Sequence, residues 1–85
     1  MEEDQVGIVV NYYAKPGVAA VKVTRGTITK GDMLQYKGHT TDFTEAVSSM
    51  EIENQSVEKA QEGDFVGIKV QERVRENDKV YRVIE

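Results

Sequence analysis

The sequence contains no cysteine and no long apolar run, and both absences limit what the protein can be. Without cysteine it has no disulfide, no thiolate metal site and no cysteine nucleophile. No segment approaches the ~20 consecutive apolar residues of a transmembrane helix. The acidic start, residues 1–4, is not followed by the apolar stretch of a signal peptide. We therefore expect a cytoplasmic protein with no membrane segment.

The chain is short and its charge is unevenly distributed. Its 85 residues are enough for one small domain, residues 1–85. The net charge of −4 argues against strong binding of a free polyanion by the whole molecule. Residues 15–40, however, contain five basic residues and one acid, so this segment carries +4 and the remainder −8. The segment is either a positive face for RNA or an acidic partner, or simply solvated strand and loop ends.

Alternation of apolar and polar residues predicts an all-β fold. Period-two patterns are found in residues 5–13, 18–24, 33–37, 65–71 and 79–84. Strands this short, separated by glycine-containing turns, would leave open edges unless the sheet closed. We therefore predict a small closed β-barrel of about six mostly antiparallel strands.

Two stretches fit this pattern less well. In the first strand, Val6, Ile8 and Val10 are expected on one face with Tyr12, and Gly7 is expected to mark a bulge or a close backbone approach. Residues 43–54 change phase, which predicts a strand with a bulge at residues 48–49, although helical spacing is also possible. Residues 55–61 are expected to form one helical turn or an irregular crossing.

Three further glycines mark turns. Gly26 and Gly31 enclose a short polar segment with Ile28 at its centre, and Gly63 precedes the next reversal. Glycine adopts positive φ without steric cost, so these positions are predicted to be structural turn residues. We expect the Ile28 side chain to point inward as an apolar plug.

No catalytic, cofactor or metal site is evident in the sequence. His39 is the only histidine, and with Asp42 it supplies two ligands where a zinc site usually needs three or more. The plainer interpretation is a loop histidine beside a capped turn. Tyr12, Tyr13, Tyr36 and Phe43 either stack bases beside Lys15 and Lys37, or all but Tyr13 lie in the core.

Several segments in order resemble the second domain of translational GTPases such as elongation factor Tu. They are residues 25–32 (RGTITKGD), 47–50, 60–68 and 78–81, so the resemblance spans nearly the whole chain. It implies a closed barrel of about six strands, a type of domain that in those GTPases helps to hold tRNA or docks on the ribosome. The nucleotide-binding motif Gly-x4-Gly-Lys-Ser/Thr is absent, so GTP hydrolysis is not implied.

A closer resemblance is to small translation elongation factor-like proteins. It rests on residues 12–13 (YY) and 37–43 (KGHTTDF), and the role of the second motif is left open. The same barrel resembles the C-terminal domain of collagenase-like peptidases, some of which act in RNA modification. Both resemblances imply an accessory or binding role.

The resulting hypothesis is a binding module without enzymatic activity or cofactor, which binds RNA (tRNA or rRNA) or the ribosome. The candidate RNA-binding residues are Lys15, Lys22, Arg25, Lys30, Lys37, His39 and Tyr13. The alternative is a protein–protein accessory module acting in trans with a peptidase-like or RNA-modifying partner. An enzymatic role for His39 and Asp42 ranks last.

Overall fold

The computed structural model describes the backbone of residues 2–84 and the side chains of residues 4–83. Within this part of the chain there are strands and turns, and no helix that could span a membrane. The strands are β1 (Glu2–Tyr13), β2 (Val18–Val23), β3 (Thr27–Thr29), β4 (Met33–Lys37), β5 (Asp42–Ala46), β6 (Met50–Ile52), β7 (Gln55–Val57), β8 (Lys59–Gln61), β9 (Phe65–Lys69) and β10 (Lys79–Ile84).

Eight of the strands form one antiparallel sheet, in the order β5-β4-β10-β1-β2-β9-β6-β7. The other two, β3 and β8, pair as a separate ribbon. Backbone hydrogen bonds connect the ribbon segment to the sheet: the Gly31 N–H donates to the Val47 carbonyl at 2.9 Å, and the Gly63 N–H donates to the Val23 carbonyl at 2.8 Å. The all-β, antiparallel prediction is confirmed.

The predicted closed barrel is not found, because the ladder within residues 2–84 ends at β5 on one side and β7 on the other. The strand count also differs, and the cause is local. The predicted strand over 43–54 breaks at residues 47–49 into β5 and β6. The segment between Gly26 and Gly31, predicted to be a turn, contains the short strand β3, whose central Ile28 is buried as expected.

Residues 55–61 form β7 and β8, so the helical turn predicted there is wrong. β6 and β7 form a hairpin with the two-residue loop Glu53-Asn54, and both loop residues have positive φ, 52° and 65°. Positive φ at both central positions is typical of a type I′ turn, whose twist matches that of the flanking strands. Ser56 therefore lies in a strand.

The buried face of β1 follows its bulges rather than simple alternation. The register shifts between Gln5 and Gly7 against β10, and between Val9 and Asn11 against β2. Val6 and Val9 are therefore both fully buried, whereas the predicted face would have included Ile8. The bulge at Gly7 is confirmed, and a Cβ there would lie 2.7 Å from the Lys22 carbonyl oxygen.

The core is formed by the inward residues of both sheets. Its largest members include Tyr36, Ile28, Leu34, Met50 and Ile68. The Phe43 ring stacks on Tyr36 with centroids 4.9 Å apart. Burial, with a smaller contribution from the negative charge of Glu45, raises the pKa of the Tyr36 hydroxyl well above its usual value.

One turn structure occurs three times, each time immediately before a strand. Its fourth residue is an aspartate whose N–H donates to the carbonyl of the first residue, while its carboxylate accepts from the N–H of that first residue. The three pairs are Thr29 with Asp32, Gln61 with Asp64, and Arg75 with Asp78. The third residue has positive φ in each case: Gly31 98°, Gly63 94° and Asn77 76°. A type II turn needs this conformation there, and Gly31 and Gly63, which the sequence predicts to be turn residues, adopt it.

Candidate functional site

The predicted RNA-binding residues are divided between the two ends of the sheet. β1 ends, β2 begins and β4 ends at one end, which places Tyr13, Lys15, Lys37 and His39 there. Arg25 and Lys30 lie at the opposite end, after β2 and before β4, and the Lys30 Nζ is 3.9 Å from a Glu58 carboxylate oxygen. Lys22 lies between the two ends on the outer face of β2. These residues therefore do not form one continuous patch.

Two of the predicted lysines belong to a row of outward-facing residues that crosses the sheet. The strand registers place in this row, in order, Phe65, Lys22, Ile8, Lys79, Lys37 and Asp42. Neighbouring strands are about 4.8 Å apart, so Lys79 and Lys37 lie side by side and Lys22 is about 10 Å from Lys79. None of the three lysines forms an ion pair with a described side chain. We call the six residues of this row the lysine row.

The end of the lysine row borders a shallow hollow of about 440 Å³. It is lined by Lys37, His39, Lys79 and Tyr81, together with Gly38 and Asn77. The Asp42 carboxylate accepts a hydrogen bond from the Gln35 amide at 3.0 Å. Among the described residues no group of three or more histidines or carboxylates could hold a metal. The hollow is polar and open.

The motif at residues 37–43 has a structural role in the turn beside this hollow. The Gly38 N–H donates to the Thr41 carbonyl at 2.7 Å, and Thr41 is buried. A Cβ at Gly38 would overlap the carboxylate of Asp78, which is only 4% exposed. Glycine is therefore required at position 38 for the Asp78 side chain to pack against the turn.

A second concavity lies on the outer face of β1, β2, β9 and β6. It has a volume of about 430 Å³, with Tyr13 and Phe65 at its sides and Ala20 and Gly67 along its floor. Phe65 is 59% exposed and Tyr13 50% exposed, and both are large side chains with apolar rings. We call this concavity the aromatic groove.

The charges beside the aromatic groove differ from one side to the other. Glu51 and Glu53 lie along the β6 side, and neither forms an ion pair with a described side chain. On the Phe65 side, the Lys22 ammonium lies 5.7 Å from the centre of the Phe65 ring, within cation–π range. The groove is thus apolar in the middle, acidic on one side and basic at the Phe65 edge.

The turn that carries the Tyr13 side is held in place by β9. The Lys69 ammonium donates to the Pro16 carbonyl at 2.6 Å, and the Val70 N–H donates to the Gly17 carbonyl at 2.9 Å. Gly17 itself has φ of 69°, which a glycine adopts without strain. The backbone of the turn that follows Tyr13 is therefore held against β9.

Phe65 and Lys79 are among the residues of these surfaces that were not sequence candidates. Phe65 begins β9, in which Val66 and Ile68 are buried, so alternation alone places it outside. Lys79 begins the last strand and is brought to Lys37 only by the pairing of β10 with β4. That pairing joins strands far apart in sequence, and no local signal indicates it.

Comparison with known proteins shows relatives that are much longer than this chain. An uncharacterized protease of Methanocaldococcus jannaschii is 39% identical over 82 residues, which cover 95% of this chain and 20% of the relative. A collagenase of Porphyromonas gingivalis is 35% identical over 82 residues, 95% of this chain and 23% of the relative. The chain thus spans about a fifth of the length of the curated relatives it matches. No protein-family model matches the sequence.

Solved structures share the fold at lower identity. The C-terminal domain of a Geobacillus thermoleovorans protein described as a U32 peptidase superposes with a TM-score of 0.87 at 20% identity, covering 95% of this chain and 93% of that domain. GDP-bound aIF5B from Aeropyrum pernix, a translational GTPase, gives a TM-score of 0.64 at 20% identity, covering 94% of this chain and 14% of that protein. At these identities the likeness concerns the fold alone. The fold resembles the peptidase C-terminal domain more closely than the GTPase.

Proposed function

We propose that this chain is a non-catalytic accessory module that docks on a protein partner through the aromatic groove. The observation that carries the proposal is the pair of exposed aromatic side chains, Tyr13 and Phe65, at the two sides of one apolar concavity. Contiguous exposed apolar patches often mark interaction sites, whereas scattered single apolar residues do not. The proposal is also supported by the relatives, in which the matching segment is about a fifth of a longer protease or collagenase. The expected partner is therefore peptidase-like.

The energy available in the groove is enough for a specific contact. Complete burial of one large apolar side chain contributes about 1.5–3 kcal/mol, and both aromatic residues expose half or more of their surface. Truncating a central aromatic anchor typically costs about 2 kcal/mol or more of binding energy. Loss of Phe65 should therefore weaken binding at least about 10-fold.

The test is affinity capture from lysate with the native chain and with Phe65→Ser. The matched control is Met33→Ser, because Met33 is also large, apolar and 43% exposed but lies outside the groove. We expect a protein that survives nuclease treatment, is retained by the control and is lost by Phe65→Ser. Equal retention by both variants would contradict the proposal.

The second candidate is binding of RNA, such as tRNA or rRNA, or of the ribosome, through the lysine row. The row favours it because three lysines without ion partners share one face, with Phe65 at one end as a stacking platform. The overall negative charge weakens this candidate relative to the first.

Salt dependence tests the RNA candidate. Each lysine that contacts a phosphate contributes about 0.7 to the slope of log K against log salt for a single strand. Binding measured by fluorescence anisotropy with a short single-stranded RNA should show this slope reduced in Lys79→Ala. The slope should be unchanged in Lys59→Ala, which removes an exposed lysine of the ribbon. Affinity that does not depend on salt would exclude phosphate contacts.

A further inference from the structure

We infer that the aromatic groove accepts an extended protein segment in which an apolar side chain lies next to a lysine or arginine. This inference rests on the proposed function, since it names the chemistry of the partner at the same surface. It follows from three features of the groove: its floor of small residues, its width, and the unpaired carboxylates on one side.

The floor follows a single row of cross-strand partners. The registers align Asn11 of β1, Ala20 of β2, Gly67 of β9 and Glu51 of β6. Ala20 and Gly67 are the two smallest side chains on this face, so a partner can approach the sheet closely there. A Cβ at Gly67 would lie 3.2 Å from Val18 Cγ1, which shows how near the neighbouring side chain already is.

The width of the groove suits one extended chain. The rows that contain Tyr13 and Phe65 lie on either side of the floor row, each two residues away along β2. Two residues of a strand span about 6.7 Å, so the flanking rows are about 13 Å apart. That spacing admits a single extended segment with one side chain directed at the floor.

The charges beside the groove indicate which residue of the partner should lie next to the apolar side chain that contacts the floor, here called the apolar anchor. Glu51 and Glu53 lie where such a segment would leave the floor toward β6, and neither has a cationic partner among the described side chains. At the other side the Lys22 ammonium lies over Phe65 and disfavours a second cation at that edge. A basic residue is therefore expected on the β6 side of the anchor.

The groove needs little rearrangement to bind. The hydrogen bonds from Lys69 to Pro16 and from Val70 to Gly17 hold the β1–β2 turn against β9, so the backbone on the Tyr13 side is positioned in the free protein. Ordering of a binding surface costs affinity, and a surface that is already ordered avoids that cost.

The experiment titrates the full chain into fluorescein-labelled synthetic peptides at low salt. The probe has the sequence Gly-Ser-Leu-Arg-Leu-Arg-Ser-Gly, and the matched control replaces both arginines by glutamate. We expect the basic peptide to bind measurably more tightly than the acidic one. Glu51→Gln and Glu53→Gln should each weaken binding of the basic peptide about 2- to 5-fold, as for exposed ion pairs. Glu62→Gln, an exposed carboxylate outside the groove, should have no effect.

The outcomes separate the inference from the proposed function. Suppose that Phe65→Ser abolishes capture of a protein partner but the basic peptide binds equally to Glu51→Gln, Glu53→Gln and the native chain. The proposed docking function is then supported, and the inference that the partner has a basic residue is overturned. Tighter binding of the acidic peptide would also overturn the basic chemistry. A concentration-dependent dimer of the native chain that Phe65→Ser abolishes, measured by sedimentation, would assign the groove to a second copy and overturn the inference. If capture does not depend on Phe65, the proposed function itself fails.

Discussion

The three matching turns allow the energy of one hydrogen bond to be measured at three degrees of burial. In each turn the aspartate carboxylate accepts from a backbone N–H at nearly the same distance: 2.9 Å for Asp32, 2.8 Å for Asp64 and 2.8 Å for Asp78. Bond geometry therefore cannot distinguish the three. The bond of Asp64 is exposed, the bond of Asp32 is partly buried, and Asp78 is only 4% exposed.

Replacing each aspartate with alanine should destabilise the protein in the order Asp78 > Asp32 > Asp64. In Asp64→Ala, water can replace the carboxylate, so the loss should be near the lower end of the usual 0.5–1.5 kcal/mol. In Asp78→Ala, the Arg75 N–H loses its partner in a partly buried site, which costs about 1–3 kcal/mol. For a domain of this size each kcal/mol corresponds to about 4–8 °C in Tm.

Urea unfolding followed by circular dichroism measures these differences as shifts of the midpoint at constant slope. Asp4→Ala provides the control, because Asp4 is an exposed aspartate of β1 and its loss should stay within about 0.5 kcal/mol of zero. Equal destabilisation by all three variants, or the greatest loss at Asp64, would refute the claim that burial decides the energy of this turn.

Three further predictions concern single positions. Gly38→Ala should lower the free energy of unfolding several-fold more in the native protein than in the Asp78→Ala variant, because the new methyl group would overlap the Asp78 carboxylate. A double-mutant cycle by urea unfolding that shows no coupling between the two positions would contradict this prediction. Burial raises the pKa of Tyr36, so the neutral hydroxyl is favoured in the folded state, and its contribution to the free energy of unfolding is complete below pH about 10 and is lost as the pH rises further. Tyr36→Phe should therefore reduce the loss of stability at alkaline pH, measured by unfolding experiments across pH. An unchanged pH profile would refute this prediction. Ile28→Ala should lower the free energy of unfolding by about 2–5 kcal/mol because the side chain is fully buried. A loss below about 1 kcal/mol in thermal unfolding would show that the Ile28 side chain does not fill the core as predicted.

The residues that carried local signals were placed correctly by sequence reasoning. The positive φ of Gly26 and Gly31, the burial of Ile28 and the inward face of β9 all follow from residue type and alternation. The exposure of Tyr13 also agrees with the expectation that it alone among the aromatic candidates lies outside. These features depend on a few neighbouring residues, which is why the sequence predicts them.

The features that depend on distant pairing could not be predicted in this way. Two bulges in β1 bring Val9 into the core, and nothing in the alternation of that strand indicates the second of them. The loop Glu53-Asn54 has positive φ without glycine, so the usual hairpin signal is missing. The division of the basic residues between the two ends of the sheet follows only from the strand order.

The central claim, that the aromatic groove is the surface that meets a protein partner, is tested most directly by site-specific crosslinking. A photoreactive phenylalanine analogue is introduced at position 65 in one variant and at position 33 in another, and both are irradiated in lysate. We expect a discrete protein adduct that resists nuclease from position 65 and none from position 33. Equal adducts at both positions, or an adduct at position 65 that nuclease removes, would contradict the account.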